Sequence, residues 1–272
     1  MKSDWLAFLK GFGAMPGPQG VLHFGAPEQE RQAALSSKVL CDLSVHGLIK
    51  VSGADAETFL QGQFTNDVRQ VTPEHSQLSA YCSPKGRMLA CFRLFRHGDD
   101  YYLRLPQERV EVILKRLRMF VLRSKVTLAD AGEEWLCLGV VGTGAIQRLT
   151  DYLGALPTSV DSVVHGQGMT VVQVPGIEPR FELYGGLQDC QNFWTALAGQ
   201  ATCVGSEAWR LLDILAGVPN VYDATAEAFV PQMANLQLLH GISFQKGCYT
   251  GQEIVARTHY LGKLNDACTR PE

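Results

Sequence analysis

The feature that most restricts the fold of this chain is an order of predicted strands and helices that occurs twice. Helices are predicted where apolar residues recur every three or four positions, and strands where apolar residues alternate or form short runs. The first set covers residues 42–130 and the second covers residues 134–205, with corresponding elements about eighty residues apart. That offset is too long for a solenoid and is typical of a duplicated α+β module.

The predicted elements can be given in chain order. In the first set they are strand 48–51, helix 54–61, strands 78–81, 88–95 and 101–105, helix 107–120 and strand 126–128. In the second set they are strand 135–141, helix 144–153, strands 169–174 and 181–184, helix 191–197 and strand 202–204. Further helices are predicted at 4–10 and 207–215, with a loop over residues 11–20. We therefore predict an α+β fold of two βαββαβ-like, ferredoxin-like units that together form one domain with a central cleft.

Composition excludes several classes of protein. Apolar residues make up 46% of the chain and charged residues 19%, so a large core can form and disorder is not expected. The net charge of −3 provides no basic field, so direct nucleic-acid binding is not expected. No apolar run reaches membrane-spanning length and no secretory signal is present, so we expect a cytoplasmic protein without a membrane partner. The eight cysteines show no CxxC spacing, which argues against a disulfide framework and a structural zinc site.

Residues 229–257, here called the signature segment, carry the mixture of side chains that core packing explains least. Two glycines four positions apart, Gly247 and Gly251, indicate backbone bends or close approaches that a Cβ atom would block. A helix is predicted from residue 252 to 257. The motif that we single out consists of Lys246, Gly247, Cys248, Tyr249, Gly251, Gln252, Glu253 and Arg257.

Cys248 precedes this predicted helix, and the partial positive charge of a helix N-terminus favours a thiolate or a bound anion. Lys246 would add a full positive charge. The alternative is a glycine turn with a buried cysteine and an exposed pair of Glu253 and Arg257. The residues alone leave both interpretations open.

Other motifs are incomplete. Residues 141–147 follow a strand and open a helix as a dinucleotide fingerprint does, but Gln147 occupies the position of the third glycine. No GxSxG elbow or phosphate-binding GxxxxGK[ST] loop occurs. Cys248 could form a nucleophile–base pair with His240 or His259, but proximity in sequence does not establish that geometry.

The signature segment, which reads FVPQ, NLQ, GISFQKGCYTGQEIVAR in this order, closely resembles the signature of the YgfZ family. That family comprises folate-binding proteins related to the glycine cleavage T-protein, an aminomethyltransferase. A weaker resemblance extends from about residue 42 to the C-terminus. It implies a T-protein-like folate-binding domain over residues 21–262, after an N-terminal helix and loop at 1–20. Residues 263–272 would form a tail, and the C-terminal β-barrel of the relatives would be largely absent.

The resemblance also implies a binding site for tetrahydrofolate or a derivative. A pterin ring is flat and rich in amide groups, so it needs an apolar slot and a carboxylate that accepts paired N–H bonds. Glu182 resembles the glutamate that holds the pterin in T-proteins, and Tyr102 resembles an aromatic residue of the pocket wall. Asn66 and Asp67 resemble a pair beside the folate site, and Arg210 resembles an arginine that could pair with an anionic part of folate.

One departure from the T-protein pattern concerns catalysis. An acidic pair of T-proteins, whose aspartate orients the reacting folate, is matched here by Ala90 and Cys91. Neither residue is a carboxylate, so aminomethyl transfer loses its central group. The resemblance therefore implies a folate-binding protein that maintains iron–sulfur enzymes, including those that thiolate tRNA, with Cys248 as the functional thiol. The alternatives are a folate-dependent aminomethyl- or methyltransferase and an interaction module without a ligand.

Overall fold

The structure is a computed structural model that describes residues 2–36 and 38–261. The strands are β1 (Met15–Pro16), β2 (Val21–His23), β3 (Val39–Asp42), β4 (His46–Ser52), β5 (Gln77–Cys82), β6 (Met88–His97), β7 (Asp100–Pro106), β8 (Thr127–Asp130), β9 (Leu136–Val141), β10 (Val163–Gly166), β11 (Met169–Val174), β12 (Arg180–Gly185) and β13 (Thr202–Val204). The α-helices are α1 (Ser3–Lys10), α2 (Pro27–Ser36), α3 (Ala56–Gln61), α4 (Gln107–Arg118), α5 (Thr143–Leu153), α6 (Leu187–Ala198), α7 (Ser206–Ala216) and α8 (Gln252–Leu261).

The chain forms two compact units, and each unit contains two separate segments of the sequence. Unit 1 comprises Met1–Gly47 and Ala131–Ala216, and unit 2 comprises Leu48–Asp130 and Gly217–Glu272. The predicted domain limits at residues 20 and 262 remain a proposal. The predicted tail at 263–272 lies outside the described residues.

Unit 2 contains a five-stranded sheet in the order β5-β6-β7-β4-β8. Adjacent strands β5, β6 and β7 pair antiparallel, as do β4 and β8. Apolar residues on one face of this sheet pack against α3 and α4, because α4 places an apolar residue on the sheet side at every turn. The core residues include Ile49, Phe92, Leu103, Ile113 and Leu117.

Unit 1 contains a six-stranded sheet in the order β10-β11-β12-β9-β3-β13. Strand β3 pairs antiparallel with β9 and parallel with β13. One face of the sheet forms a core with α1, α5 and α6, which includes the fully buried side chains of Trp5, Leu138, Leu183 and Trp194. Helix α7 also contacts β3 in this unit and carries the buried Trp209.

The two sheets confirm the predicted duplication. If β3 is set aside, the strand order of unit 1 repeats that of unit 2, with β10, β11, β12, β9 and β13 in the places of β5, β6, β7, β4 and β8. The α+β fold is therefore confirmed, and both units have a βαβββαβ order. The second set was predicted with one strand too few, because β10 is short and half-exposed and has little apolar pattern.

Several elements near the N-terminus were missed. Strand β3 is a short run of buried residues that precedes the predicted elements of both sets, and only its pairing assigns it to unit 1. Helix α2 has few apolar residues, and the predicted loop at 11–20 contains β1, which pairs with β2. Within the described residues, no helix combines the length and apolar composition needed to cross a membrane.

Candidate functional site

The signature segment is fixed in unit 2 by the ammonium group of Lys246. This side chain is 5% exposed, and its Nζ donates to the carbonyl oxygens of Gln61, Phe64 and Asn66 at 2.7, 2.5 and 3.0 Å. These acceptors lie at the end of α3 and in the turn after it. Burial lowers the pKa of Lys246 to about 8, and the charge of Asp67 acts in the opposite direction.

These contacts change the role expected of Lys246. An ammonium group has three N–H donors, and three backbone carbonyls accept from this one. Its charge is also 5.1 Å from the centre of the Tyr249 ring. Lys246 therefore stabilises the turn after α3, and its donors are not directed at a bound anion or at the Cys248 thiol.

Asn66 and Asp67 are used within the same region of unit 2. The side-chain amide of Asn66 donates to the carbonyl oxygens of Leu78 and His240 at 2.9 and 2.7 Å. The Asp67 carboxylate accepts from the Arg69 guanidinium at 2.9 and 2.6 Å, and these bonds lower the pKa of Asp67 to about 2. Asn66 holds two backbone segments together and Asp67 pairs with Arg69, so contacts within unit 2 account for both side chains without a ligand. Their predicted role beside a folate stays a prediction.

Cys248 is exposed and lies four positions before Gln252, where α8 begins. The alternative of a buried cysteine is therefore wrong. Burial raises the pKa of Cys82, Cys91 and Cys190 to about 12 and that of Cys203 to about 11. The described cysteines other than Cys248 are buried or half-buried: Cys41, Cys82, Cys91, Cys137, Cys190 and Cys203.

The two motif glycines have different roles. Gly251 has a φ of +83°, and a Cβ atom there would lie 2.4 Å from the carbonyl oxygen of Ser83 and 2.9 Å from the Cα of Gly86. The predicted close approach of backbone is thus confirmed at Gly251. Nothing lies within 4 Å of a Cβ atom placed on Gly247, so the same prediction is wrong there.

Helix α8 begins at Gln252, as predicted, and continues to Leu261, beyond the predicted end at residue 257. The backbone N–H of Gln252 donates to the carbonyl oxygen of Tyr249 at 3.2 Å. Glu253 and Arg257 lie one turn apart, and both are exposed. Glu253 and Arg257 therefore lie on the surface of unit 2, together with Cys248, whereas the charge of Lys246 is buried.

Tyr102 also lies in unit 2, on β7. Its ring is buried and stacks on Phe95 of β6, with the ring centres 5.5 Å apart. Ala90 and Cys91 lie on β6 and are 0% and 1% exposed. Neither residue is a carboxylate, and burial raises the pKa of the Cys91 thiol. These two residues therefore cannot replace the acidic pair of the T-proteins.

Glu182 lies in unit 1, on β12, and its side chain is fully buried. Its carboxylate accepts a hydrogen bond from the hydroxyl of Tyr184, which lies on the same face of the sheet two residues later. Gly139 of β9 is directly opposite Glu182. A Cβ atom on Gly139 would lie 2.4 Å from the Trp209 ring, so this glycine lets the indole contact the sheet beside the carboxylate.

An ion pair fixes Trp209. Arg180 donates to Asp213 at 2.7 Å, both side chains are buried, and the guanidinium lies 4.6 Å from the centre of the Trp209 ring. Arg210 is on the exposed side of α7 and pairs with Glu207 at 2.9 Å. The sequence analysis singled out Arg210, whereas Trp209 and Asp213 are the residues of α7 that contact Arg180. The amphipathic pattern of α7 could have identified them, because it places both residues on the buried side of the helix.

The predicted site residues are thus distributed over both units. Glu182 and Arg210 belong to unit 1. Asn66, Asp67, Tyr102 and the signature motif belong to unit 2. Within the described residues, no cluster of His, Cys, Asp and Glu side chains could hold a metal ion.

Replacing Lys246 by methionine should destabilise the protein, because three buried carbonyl groups lose a charged donor. We expect a loss of about 1–3 kcal/mol in the free energy of unfolding, measured by denaturant titration. Lys85→Met is the matched control, since Lys85 is exposed in the same unit. Equal stabilities of the two variants would show that the ammonium contacts do not hold the turn.

Alkylation of the native protein near neutral pH should modify Cys248 first, because an exposed thiol reacts faster than a buried thiol with a raised pKa. Cys268 lies outside the described residues, so the measurement uses a Cys268→Ser background. Peptide mass spectrometry gives the order of labelling, with the half-buried Cys203 as the internal reference. Labelling of Cys203 before Cys248 would contradict the exposed position of Cys248.

Comparison with known proteins supports this fold independently. The model of the GCVT N-terminal domain family matches residues 18–242. The chain is similar to the glycine cleavage system aminomethyltransferase T from Bartonella henselae, with 18% identity, a TM-score of 0.77 and coverage of 93% of this chain and 73% of that one. A weaker similarity, with 9% identity and a TM-score of 0.47, links it to heterotetrameric sarcosine oxidase from Corynebacterium sp. U-96 and covers 73% of this chain and 95% of that one. The family match spans most of the sequence, and the chain therefore belongs to the GCVT N-terminal domain family.

Proposed function

We propose that this protein binds tetrahydrofolate or a derivative and supports the assembly or repair of iron–sulfur clusters, and thereby tRNA modification. Membership of the GCVT N-terminal domain family supports a folate-type ligand. The resemblance of the signature segment to the YgfZ family supports the link to iron–sulfur enzymes. The proposed partners are folate and iron–sulfur enzymes, including those that thiolate tRNA.

The observation that carries the folate proposal is the environment of Glu182. Its buried carboxylate lies on a central strand of the sheet, where Tyr184 donates to it and Trp209 packs on the neighbouring Gly139. A carboxylate beside aromatic rings is the chemistry that a pterin edge requires, because it accepts two parallel N–H bonds while the ring stacks. In addition, the buried indole N–H of Trp209 has no hydrogen-bond partner in the part of the chain that the structure describes.

These residues would bind and orient the ligand. Glu182 would accept N–H bonds from the pterin edge, and the Tyr184 hydroxyl would keep its carboxylate in place. The Arg180–Asp213 ion pair would hold Trp209 against the sheet. Reduced folate, when bound, supplies one-carbon carrier chemistry that side chains lack.

Aminomethyl transfer is the second candidate, since the fold is that of an aminomethyltransferase. The buried Ala90 and Cys91 count against it, because neither can replace a catalytic carboxylate. Turnover of tetrahydrofolate with an amine donor would favour the transferase over the proposed function. If folate does not bind at all, the remaining alternative is an interaction module without a ligand.

Titration with tetrahydrofolate should show binding and raise the thermal stability of the protein. At a ligand concentration about a hundred times the dissociation constant, the expected stabilisation is roughly 2.7 kcal/mol. Glu182→Gln should weaken binding by about 1.5–3 kcal/mol, because an amide offers an N–H where the ligand also donates. Tyr184→Phe is the control, because it keeps the aromatic ring and the Glu182 carboxylate. We expect it to lose less binding free energy than Glu182→Gln. Calorimetry that detects no heat of binding, together with an unchanged melting temperature, would reject the folate site.

Cys248→Ser should separate ligand binding from the cellular role. Because Cys248 is exposed, we expect the variant to fold and to bind folate as the unchanged protein does. In cells that depend on this protein, however, the variant should support no more iron–sulfur enzyme activity than is found in cells that lack the protein. Cys203→Ser is the control at a half-buried thiol. Full activity with Cys248→Ser would remove the thiol from the proposed function.

A further inference from the structure

A turn in unit 2, formed by residues 115–125 and here called the 115–125 turn, places apolar side chains on the surface. Helix α4 ends at Arg118, and the chain then reverses towards β8. Backbone hydrogen bonds from Phe120 to Leu117 and from Ser124 to Val121, at 3.0 and 2.8 Å, order this reversal. Val121 packs against the core of unit 2, which anchors the turn.

Three other apolar residues of the turn are exposed, whereas Leu117 is buried in the core of unit 2. Met119 is 60% exposed, Phe120 is 42% exposed and Leu122 is 88% exposed. Leu122 also has a φ of 47°, in the left-handed region that leucine rarely adopts. Three large exposed apolar residues thus fall within four positions of the sequence, which indicates an interaction surface more strongly than scattered exposed residues do.

Positive charge surrounds this apolar group. Between residues 112 and 129 the chain has five basic residues and no acidic residue, although its net charge is −3. Arg118 donates to the carbonyl oxygen of Leu128 at 2.8 Å, and Arg116 lies 6.0 Å from the Tyr81 ring. The side chains of the remaining three, Lys115, Arg123 and Lys125, are exposed.

Two acidic residues lie close to the turn. Glu111 precedes Lys115 by one turn of α4. The Asp55 carboxylate accepts the backbone N–H of Lys125 at 2.7 Å. They leave the segment with a clear excess of positive charge.

We propose that the 115–125 turn docks on a lipid bilayer that carries anionic headgroups. Met119, Phe120 and Leu122 would enter the boundary between headgroups and acyl chains, while Arg123 and Lys125 contact the headgroups. A bilayer deforms around a protruding apolar turn, so it needs no pre-shaped pocket, and its charge complements the turn. Nucleic acid would match the charge but would leave Met119 and Leu122 without an apolar partner.

Docking on a bilayer surface does not require a membrane-spanning segment, which is what the sequence analysis argued against. That expectation depended on the length of apolar runs, which decides whether a helix can span a bilayer. Binding at the interface needs only a few apolar side chains and nearby cations. It goes beyond the proposed function and does not depend on folate binding.

The test is co-sedimentation of the full chain with phosphatidylcholine vesicles that contain or lack phosphatidylglycerol. The unchanged protein should sediment with the anionic vesicles only, and added salt should release it. Combined Arg123→Gln and Lys125→Gln should weaken partitioning roughly thirtyfold, if each cation is worth about 1 kcal/mol. Combined Met119→Gln and Leu122→Gln, which retains every charge, should also abolish most of the binding. Ile177→Gln, at a 74% exposed apolar residue of unit 1, is the control and should bind as before.

The possible outcomes are distinct. Loss of binding in both combined variants, with the control unaffected and all variants folded, would support the proposal. Equal binding to neutral and anionic vesicles would overturn it, and so would unchanged binding of the Met119 and Leu122 variant. Failure to sediment with either vesicle would also overturn it and would leave an acidic protein surface as the occupant to consider.

Discussion

The buried ammonium of Lys246 is the interaction on which the arrangement of unit 2 depends. It joins the signature segment to the end of α3 through three carbonyl groups that are far away in sequence. A buried cation is tolerated only when its donors are satisfied, so this contact restricts the turn to one geometry. Asn66 adds a bond to the carbonyl of His240 from the other side. The result is a rigid base from which Cys248 reaches the surface.

Unit 1 uses a similar principle around Glu182. A charge-bearing group on a central strand needs partners, and Tyr184 supplies one. The absence of a side chain on Gly139 lets Trp209 contact the same face, and the buried pair of Arg180 and Asp213 fixes the indole. Contacts within unit 1 therefore hold these polar and aromatic groups in place.

The candidate site was predictable only in part. The motif indicated a close backbone approach at Gly251, and the structure confirms it, because the Ser83 carbonyl leaves no room for a Cβ atom. The motif also suggested that Lys246 acts on an anion beside Cys248, but its donors reach carbonyl groups 180 or more residues away. Spacing in sequence does not reveal in which direction a long, flexible side chain extends. The residues around Glu182 were missed for a related reason, since their contacts join a strand to a later helix.

The sequence by itself determined the α+β class, the order of most helices and strands and their duplication, because these depend on local periodicity and on glycine and proline positions. The resemblance to the YgfZ family could also be found in the sequence, because the residues that carry it are contiguous in the signature segment. Only the tertiary structure decided that β3 joins the sheet of unit 1, that Cys248 is exposed, and that Lys246 and Asn66 hold the backbone. The physical reason is that strand pairing, burial and buried hydrogen bonds depend on residues distant in sequence, which no local pattern encodes.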